Sequence, residues 1–298
     1  MPKVDVIIPA YNAAKYLPAA IESVVAQSFE DWRIVLIDDG STDSTSEVVA
    51  PYIEQLGPKL LYIHQPNAGL PAARNTAIRN SSAELLALLD ADDVWLPCRL
   101  AESVKSFENR PQVGLSYGLV LRVDADGEVI DTFWGNRGRS EGRIATEIYT
   151  REVQLPCPTM TFRRRCVDEV GLFDETMRAT EDRDMWLRIA LRYEVALVPK
   201  VIARYRIWLG SMSADLDRME LAQTRFVEKH YGSPGCGRVA RRVALARIYR
   251  NKAEALEARK KRGAAVKDLV RAFFTCPFDL DNVRTAGSFL LRWTGVRR

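Results

Sequence analysis

"LLALLDADDVW", residues 85–95, sets an aliphatic run directly against three carboxylates, Asp90, Asp92 and Asp93. Like charges crowded together each raise the cost of ionising the next. A polar turn accounts for one aspartate, because its side chain bonds nearby backbone. Three behind a buried strand equally suit a divalent cation, which relieves the repulsion.

Outward from this stretch the periodicity alternates. "VDVIIPA" (4–10), "WRIVLIDDG" (32–40), "LLYIHQ" (60–65) and "AELLALLD" (83–90) read as strands. Between them "AAKYLPAAIESVVAQ" (13–27), "STDSTSEVVAPYIEQL" (41–56) and "LPAARNTAIRNS" (70–81) read as helices, the second entered through Ser and Thr caps. Strand-helix alternation predicts an α/β fold, a mostly parallel sheet flanked by helices in the Rossmann-like, nucleotide-binding manner. Ligands of such sheets bind beyond the carboxyl ends of the strands. Those ends carry "PAYN" (9–12), "DDGSTD" (38–43), "NAGLPAARN" (67–75) and "DADD" (90–93).

The 298 residues suffice for one large domain and an appendage. Charge is unevenly placed: residues 1–110 sum to −6, 111–220 to −2 and 221–298 to +12. Five cysteines without a CxxC pair and only two histidines fit neither a disulfide framework nor a zinc site. No signal-peptide pattern opens the chain and no apolar run approaches the ~20 residues of a membrane span. The expected location is therefore cytoplasmic, with any membrane contact peripheral. Helical spacing of Val239, Val243, Ala246, Tyr249, Ala253 and Leu256 predicts an apolar stripe on a basic helix, with further helices over 264–274 and 280–293. These helices read either as packing against the larger domain or as contact with anionic lipid at the inner membrane face. Nucleic acid is not an expected partner, since no reader motif accompanies the basic charge.

Single residues admit two readings. Tyr11 is a ligand-facing ring or a turn aromatic; Asp38 and Asp43 are ligand groups or caps, Asp43 chiefly a cap. Arg74 is a ligand for anions or a solvated charge. Glu181, Asp182 and Asp184 in "ATEDRDMWLRIA" (179–190) are site acids or first-turn acids favoured by the helix dipole. Over residues 117–144 a hairpin is expected, turned at "DADG" (124–127) and followed by a Gly/Arg-rich loop. That repeat of DAD reads as a plain turn and shows how little DxD means alone.

The ordered series "VIIPAYNAAKYLPAAIESVVAQSF", "LIDDGSTDST", "NAGLPAARNTAI", "LLDADDVWLPCRL", "GLFDE", "TEDRDMWLRIA" and "ARYRIWLGSMS" resembles the family-2 glycosyltransferases of GT-A fold, over roughly residues 3–215. The resemblance implies a catalytic domain over 1–214, with a nucleotide-sugar half (1–110) and an acceptor half (111–214), followed by a basic helical region over 215–298. It implies that Tyr11 stacks on the base, Asp39 accepts from a pyrimidine imide, and Pro9, Ala10 and Asn12 line the same pocket. Arg74 would reach ribose or phosphate and Asp90 the ribose, while Asp92 would bind Mn²⁺ or Mg²⁺. Asp182 would be the general base of an inverting transfer from a nucleotide sugar, chiefly a UDP sugar, to a glycan or lipid-linked acceptor. Glu181, Trp186, Phe173 and Asp174 fall on the acceptor side. One departure stands out: Trp208 replaces the histidine common after the "YR", which points to weaker metal dependence, an altered donor, or phosphates steadied by Arg204 or Arg206. Ser211 and Ser213 keep the pattern and suit a lid.

Two alternatives remain on the sequence. "DADDVW" also fits a haloacid-dehalogenase-like phosphatase with Asp90 as nucleophile and Asp92 as acid/base, although that family carries the motif on its first strand. A non-catalytic sugar-nucleotide or glycan binder is the second. A dehydrogenase is disfavoured, because "PAYNAAKY" lacks the glycine-rich phosphate turn.

Overall fold

The computed structural model describes residues 1–133, 140–177, 179–207 and 215–294. Trp208, Ser211, Ser213 and part of the loop after the hairpin lie outside the described residues. The chain forms two compact units, one of Met1–Ile144 with Gln154–Ser211, the other of Ala145–Val153 with Met212–Arg298. The expected boundary at residue 214/215 did not anticipate that Ala145–Val153 belongs with the helices.

The first unit is built on a nine-stranded sheet. Strands β1 (Val4–Ala10), β2 (Trp32–Asp39), β3 (Leu60–Gln65) and β4 (Leu85–Leu88) lie in the order β3-β2-β1-β4, all parallel. Helices α1 (Leu17–Val25), α2 (Thr45–Leu56) and α3 (Leu70–Arg79) make the crossovers. Strands β1 and β4 are buried along their whole length, as strands covered on both faces must be. Val4, Val6, Ile8, Leu36 and Leu85 form one apolar layer with Leu17, Ile21 and Val24 of α1.

Beyond β4 the sheet is mixed rather than parallel. Strand β5 (Val94–Trp95) and helix α4 (Arg99–Lys105) precede β6 (Val113–Val123) and β7 (Val129–Phe133), which form an antiparallel hairpin. Asp124 Oδ1 accepts from the Asp126 and Glu128 amides at 2.9 and 3.0 Å, so the second DAD is a backbone turn. Strand β8 (Thr161–Arg163) pairs antiparallel with both β4 and β6, and helices α6 (Arg164–Val170) and α7 (Glu181–Ala190) follow it. Strand β9 (Glu194–Arg206) runs parallel to β6 and antiparallel to β5. Gly118 of β6 lies so near β9 that a Cβ would stand 2.5 Å from Ile202 Cδ1, a contact no larger residue makes without displacement.

Numbered in chain order, α5 (Ala145–Tyr149) precedes β8 and belongs to the second unit, with α8 (Leu216–Lys229), α9 (Arg238–Ala258), α10 (Arg262–Thr275) and α11 (Leu280–Thr294). The α9 stripe differs from the expected one. Ala246, Ala253 and Leu256 are buried, but Val239 is 76% exposed, and Leu245 and Ile248 take up the inward face. Helices α5, α8, α10 and α11 all pack on α9, so its apolar residues are spread around it rather than drawn into one line. Basic residues here are partly neutralised within the unit: Arg250 meets Asp279 at 3.4 Å, and Arg271 bonds Glu220 and Asp268 at 2.9 Å each.

Candidate active site

The carboxyl ends of β1, β2, β3 and β4 open on one edge of the sheet, and their loops are bonded to one another. Asn12, after β1, has φ +50°, a conformation asparagine tolerates better than most residues. From there its Oδ1 accepts from the Thr42 amide at 2.8 Å, and its own amide donates to Ser41 Oγ at 3.0 Å. Asp43 bonds the Ala14 amide at 3.1 Å and the Thr45 amide at 3.0 Å, tying the entrance of α2 to the same loop. Tyr11 is left 53% exposed at the rim. Pro9 and Ala10 are buried inside β1.

The two aspartates that end β2 serve different partners. Asp38 accepts from the Ser41 amide (2.9 Å) and Tyr62 Oη (2.8 Å), with His64 Nδ1 at 3.1 Å. Burial works against its charge, but these bonds hold its carboxyl below the usual carboxylate range. Asp39 accepts from Gln65 Nε2 (2.6 Å) and the Ala68 (3.0 Å) and Gly69 (2.8 Å) amides, fixing the loop that enters α3. Gly40, φ +73°, allows this approach: a Cβ there would stand 2.6 Å from the Asn67 amide nitrogen.

Arg74, on α3, is only 2% exposed and does not extend toward solvent. Its Nη2 donates to Asp90 Oδ1 at 2.8 Å and to Cys157 Sγ at 3.1 Å, while Nη1 donates to Glu181 Oε1 at 2.9 Å. This departs from the expected reach to ribose or phosphate, because both terminal nitrogens are engaged by protein groups. Arg74 thereby joins the end of β4 to the start of α7. Next to it, Asn75 donates to the Phe173 carbonyl and accepts from the Phe173 amide, each at 2.9 Å, clamping the "GLFDE" loop. Neither Asn75 nor Cys157 was singled out from sequence; Asn75 sits inside the quoted "AARN" but only its tertiary partners reveal its task.

The acidic loop is held from behind. Arg206 donates its amide to Asp93 Oδ1 (2.8 Å), Nε to the Asp92 carbonyl (2.9 Å), and Nη1 to the carbonyls of Asp124 (3.0 Å) and Ala125 (2.9 Å). Its guanidinium also lies 4.6 Å from the Tyr16 ring. Arg206 is thus a strut of the loop, and Arg204 is exposed on β9. Asp93 is 1% exposed, and burial, then Asp92 and Asp90, raise its pKa well above the ordinary value. Asp90 and Asp92 are partly exposed.

On α7, Glu181 is 3% exposed and its Oε2 has no partner among the described residues. Burial raises its pKa to about 7, against the pull of Arg74 and with repulsion from Asp182 added. Asp182 is partly exposed and accepts from the Arg183 amide at 2.6 Å. Asp184 is wholly buried and pairs with Arg188 at 2.8 Å; Arg188 also bonds the carbonyls of Val170 and Leu172 at 2.6 and 2.9 Å. Trp186 is wholly buried, its ring centroid 5.4 Å from Phe162 and 6.0 Å from the 3%-exposed Phe173. Both aromatics therefore form the packing behind the site rather than an open floor. Asp174 accepts from Thr176 amide and hydroxyl at 2.9 and 2.7 Å, closing a turn. Asp90, Glu181 and Asp182 all act electrostatically on Arg74.

The sequence model of the family described as Glycosyl transferase family 2 matches residues 5–171. The chain belongs to that family. An uncharacterized glycosyltransferase of Rickettsia felis is 31% identical over 209 residues, 70% of this chain but 34% of the relative, so the chain spans about a third of that relative's length. Two solved structures share the fold. TarS 1–349 of S. aureus in complex with UDP-GlcNAc superposes at TM-score 0.67 with 17% identity, covering 92% of this chain and 81% of that one. The mannosyltransferase PcManGT of Pyrobaculum calidifontis, in complex with GDP-Man and Mn²⁺, gives 0.66 with 19% identity over 97% and 80%. The fold is GT-A. The phosphatase reading is not favoured: the acidic motif follows β4 rather than the first strand, and the family is a different one.

A family-2 glycosyltransferase of this fold implies a divalent cation. Among the described residues no three Asp, Glu, His or Cys side chains are gathered to hold one. The partly exposed Asp92 offers hard carboxylate oxygen of the kind Mn²⁺ or Mg²⁺ takes.

Proposed function

We propose that this chain is an inverting, metal-dependent glycosyltransferase that moves a sugar from a nucleotide donor, a UDP sugar, to a hydroxyl of a surface polysaccharide or lipid-linked glycan. The observation that carries this reading is the cluster in which buried Arg74 joins Asp90 at the end of β4 to Glu181 at the start of α7, beside the partly exposed Asp182.

In this reading Tyr11, exposed at the rim, offers its ring to the base, with the backbone of Pro9 and Ala10 and the side chain of Asn12 alongside. Asp39 has one oxygen taken by Gln65 and Ala68 and the other by Gly69 alone, which leaves that second oxygen an accepting lone pair for an imide N–H. Asp90, with Oδ1 on Arg74, keeps Oδ2 for a ribose hydroxyl. Arg74 itself is a positioning residue. A divalent cation, when held by Asp92, supplies charge neutralisation at the leaving diphosphate.

Asp182 takes the proton of the acceptor hydroxyl as that oxygen bonds the anomeric carbon. The bond from that carbon to the diphosphate oxygen breaks with its electron pair leaving on the nucleoside diphosphate. A single displacement inverts the anomeric configuration. Burial raises the pKa of Glu181 to about 7, and Asp182 is the more exposed acid of the two. Trp186, Phe173 and Asp174 shape the acceptor side from behind. Contact of the basic helical unit with an anionic membrane face brings the enzyme to a lipid-linked acceptor.

The test is product formation from UDP-linked against GDP-linked sugars with a polyprenyl-phosphate glycan acceptor, with and without Mn²⁺. Transfer from a UDP sugar with inverted configuration is expected. Hydrolysis of simple phosphoesters without any sugar transfer would overturn the reading.

A further inference from the structure

The helical unit carries an apolar surface that none of the described residues covers. Helix α10 buries Ala265, Asp268 and Ala272, and Ala265 joins Ala253, Leu256 and Phe289 in a small core. Its opposite face leaves Val266 (38%), Val270 (48%), Phe273 (42%) and Phe274 (74%) exposed. Spacings of four, three and one place these residues on one side of the helix. The chain then passes Pro277 into Phe278 and Leu280, 93% and 70% exposed. A helix on a water-facing surface turns polar residues outward. This one is inverted, and contiguous exposed apolar surface marks a place of contact.

Charge says what kind of surface it meets. Arg259, Lys260, Lys261 and Arg262 stand consecutively and exposed at the entrance of α10, and Lys267 is exposed on the helix itself. Arg242 donates Nε to the Thr275 carbonyl at 2.7 Å, which sets another cation at the phenylalanine end. The acids of residues 259–280 are Asp268 and Asp279, paired with Arg271 at 2.9 Å and Arg250 at 3.4 Å. A second copy of the chain docked here about a two-fold axis would set the basic run near its own image.

We propose that this face docks on an anionic lipid bilayer. Phe273, Phe274, Phe278 and Leu280 enter the boundary between headgroups and acyl chains, while Arg259–Arg262 and Lys267 meet lipid phosphates. No helix among the described residues is long and apolar enough to cross a membrane. The inference extends the membrane contact of the functional reading and uses none of its transfer residues.

The full chain is floated with vesicles of phosphatidylcholine alone and of phosphatidylcholine with about a third phosphatidylglycerol. Binding is expected only to the anionic vesicles, and to fall at least about tenfold as ionic strength rises from about 0.1 M to about 0.5 M. Phe274→Ser with Phe278→Ser, and separately Lys260→Gln with Lys267→Gln, should each weaken binding at least about tenfold while nucleotide affinity stays at the wild-type value. Should the phenylalanine pair fail to fold by circular dichroism, the wholly surface lysine pair carries the test. Failure to float with either vesicle, flotation indifferent to the lysine pair, or a lipid-free dimer that Phe278→Ser dissolves would overturn the proposal. Loss of nucleotide binding in every form, wild type included, would count against the transferase reading and not against this one.

Discussion

Arg74 is the side chain on which the site turns. Its guanidinium is shared by Asp90 and Glu181 on two elements distant in sequence. Replacing it by alanine leaves two carboxylates facing each other without their cation, and breaking such a buried pair costs about 3–5 kcal/mol. Arg74→Ala should therefore lower the denaturant midpoint sharply and abolish donor binding; unaltered stability would mean the pairs contribute little. Asp182→Asn isolates the chemistry instead: transfer should fall by about 10²–10⁴, the range for removing a general base, with donor affinity unchanged. Equal loss of donor binding would make Asp182 structural. Asp90 and Asp92 could be singled out because the acids of "DADD" are adjacent in sequence, and Asp182 because the resemblance implied its role. Cys157 and Asn75 were not, because a thiol at 3.1 Å from Arg74 and an amide clamping Phe173 exist only once distant segments meet. Arg206 misled for the opposite reason, since a cation near an acidic loop reads as a phosphate ligand until its donors are found on backbone carbonyls.

Among the elements, the half through β4 was read almost whole from alternation, because each parallel strand there is a short apolar run closed by polar residues at its carboxyl end. Helix starts were less legible: α1 begins at Leu17, four residues after the expected Ala13, as the preceding residues are drawn into bonds with the β2 loop. Strands β8 and β9 were not separated from their surroundings, since β8 has three residues and β9 carries polar and apolar residues without a clean period. The loops between elements depend on close backbone approach. Gly40→Ala would force a Cβ to 2.6 Å from the Asn67 nitrogen at a positive φ, and strain of this type costs about 1–3 kcal/mol. The variant should lose nucleotide affinity along with stability, measured by calorimetry and melting; a silent substitution would show that the 65–69 loop is not held by this contact.

For the molecule as a whole, charge is divided between the units: the acidic carboxyl edge belongs to the sheet, the +12 of residues 221–298 to the helices. Stability should carry the mark of the buried acid. Glu181 rises from 4.5 to about 7 on folding, so between those values the folded chain keeps a proton that the unfolded chain has released. Its contribution is complete below about 4.5 and is lost as pH climbs through about 7. Glu181→Gln should flatten the fall of melting temperature across that window, at about 2–4 °C for each kcal/mol in a domain of this size; an identical slope in both proteins would place the proton elsewhere. The most direct test is one titration of the full chain with UDP, GDP and dTDP, with and without Mn²⁺, repeated on Asp92→Ala. Saturable binding of UDP, strengthened by Mn²⁺ in the wild type and not in the variant, is the predicted result. Absence of binding by every nucleotide under both conditions, or a Mn²⁺ effect undiminished in Asp92→Ala, would contradict it.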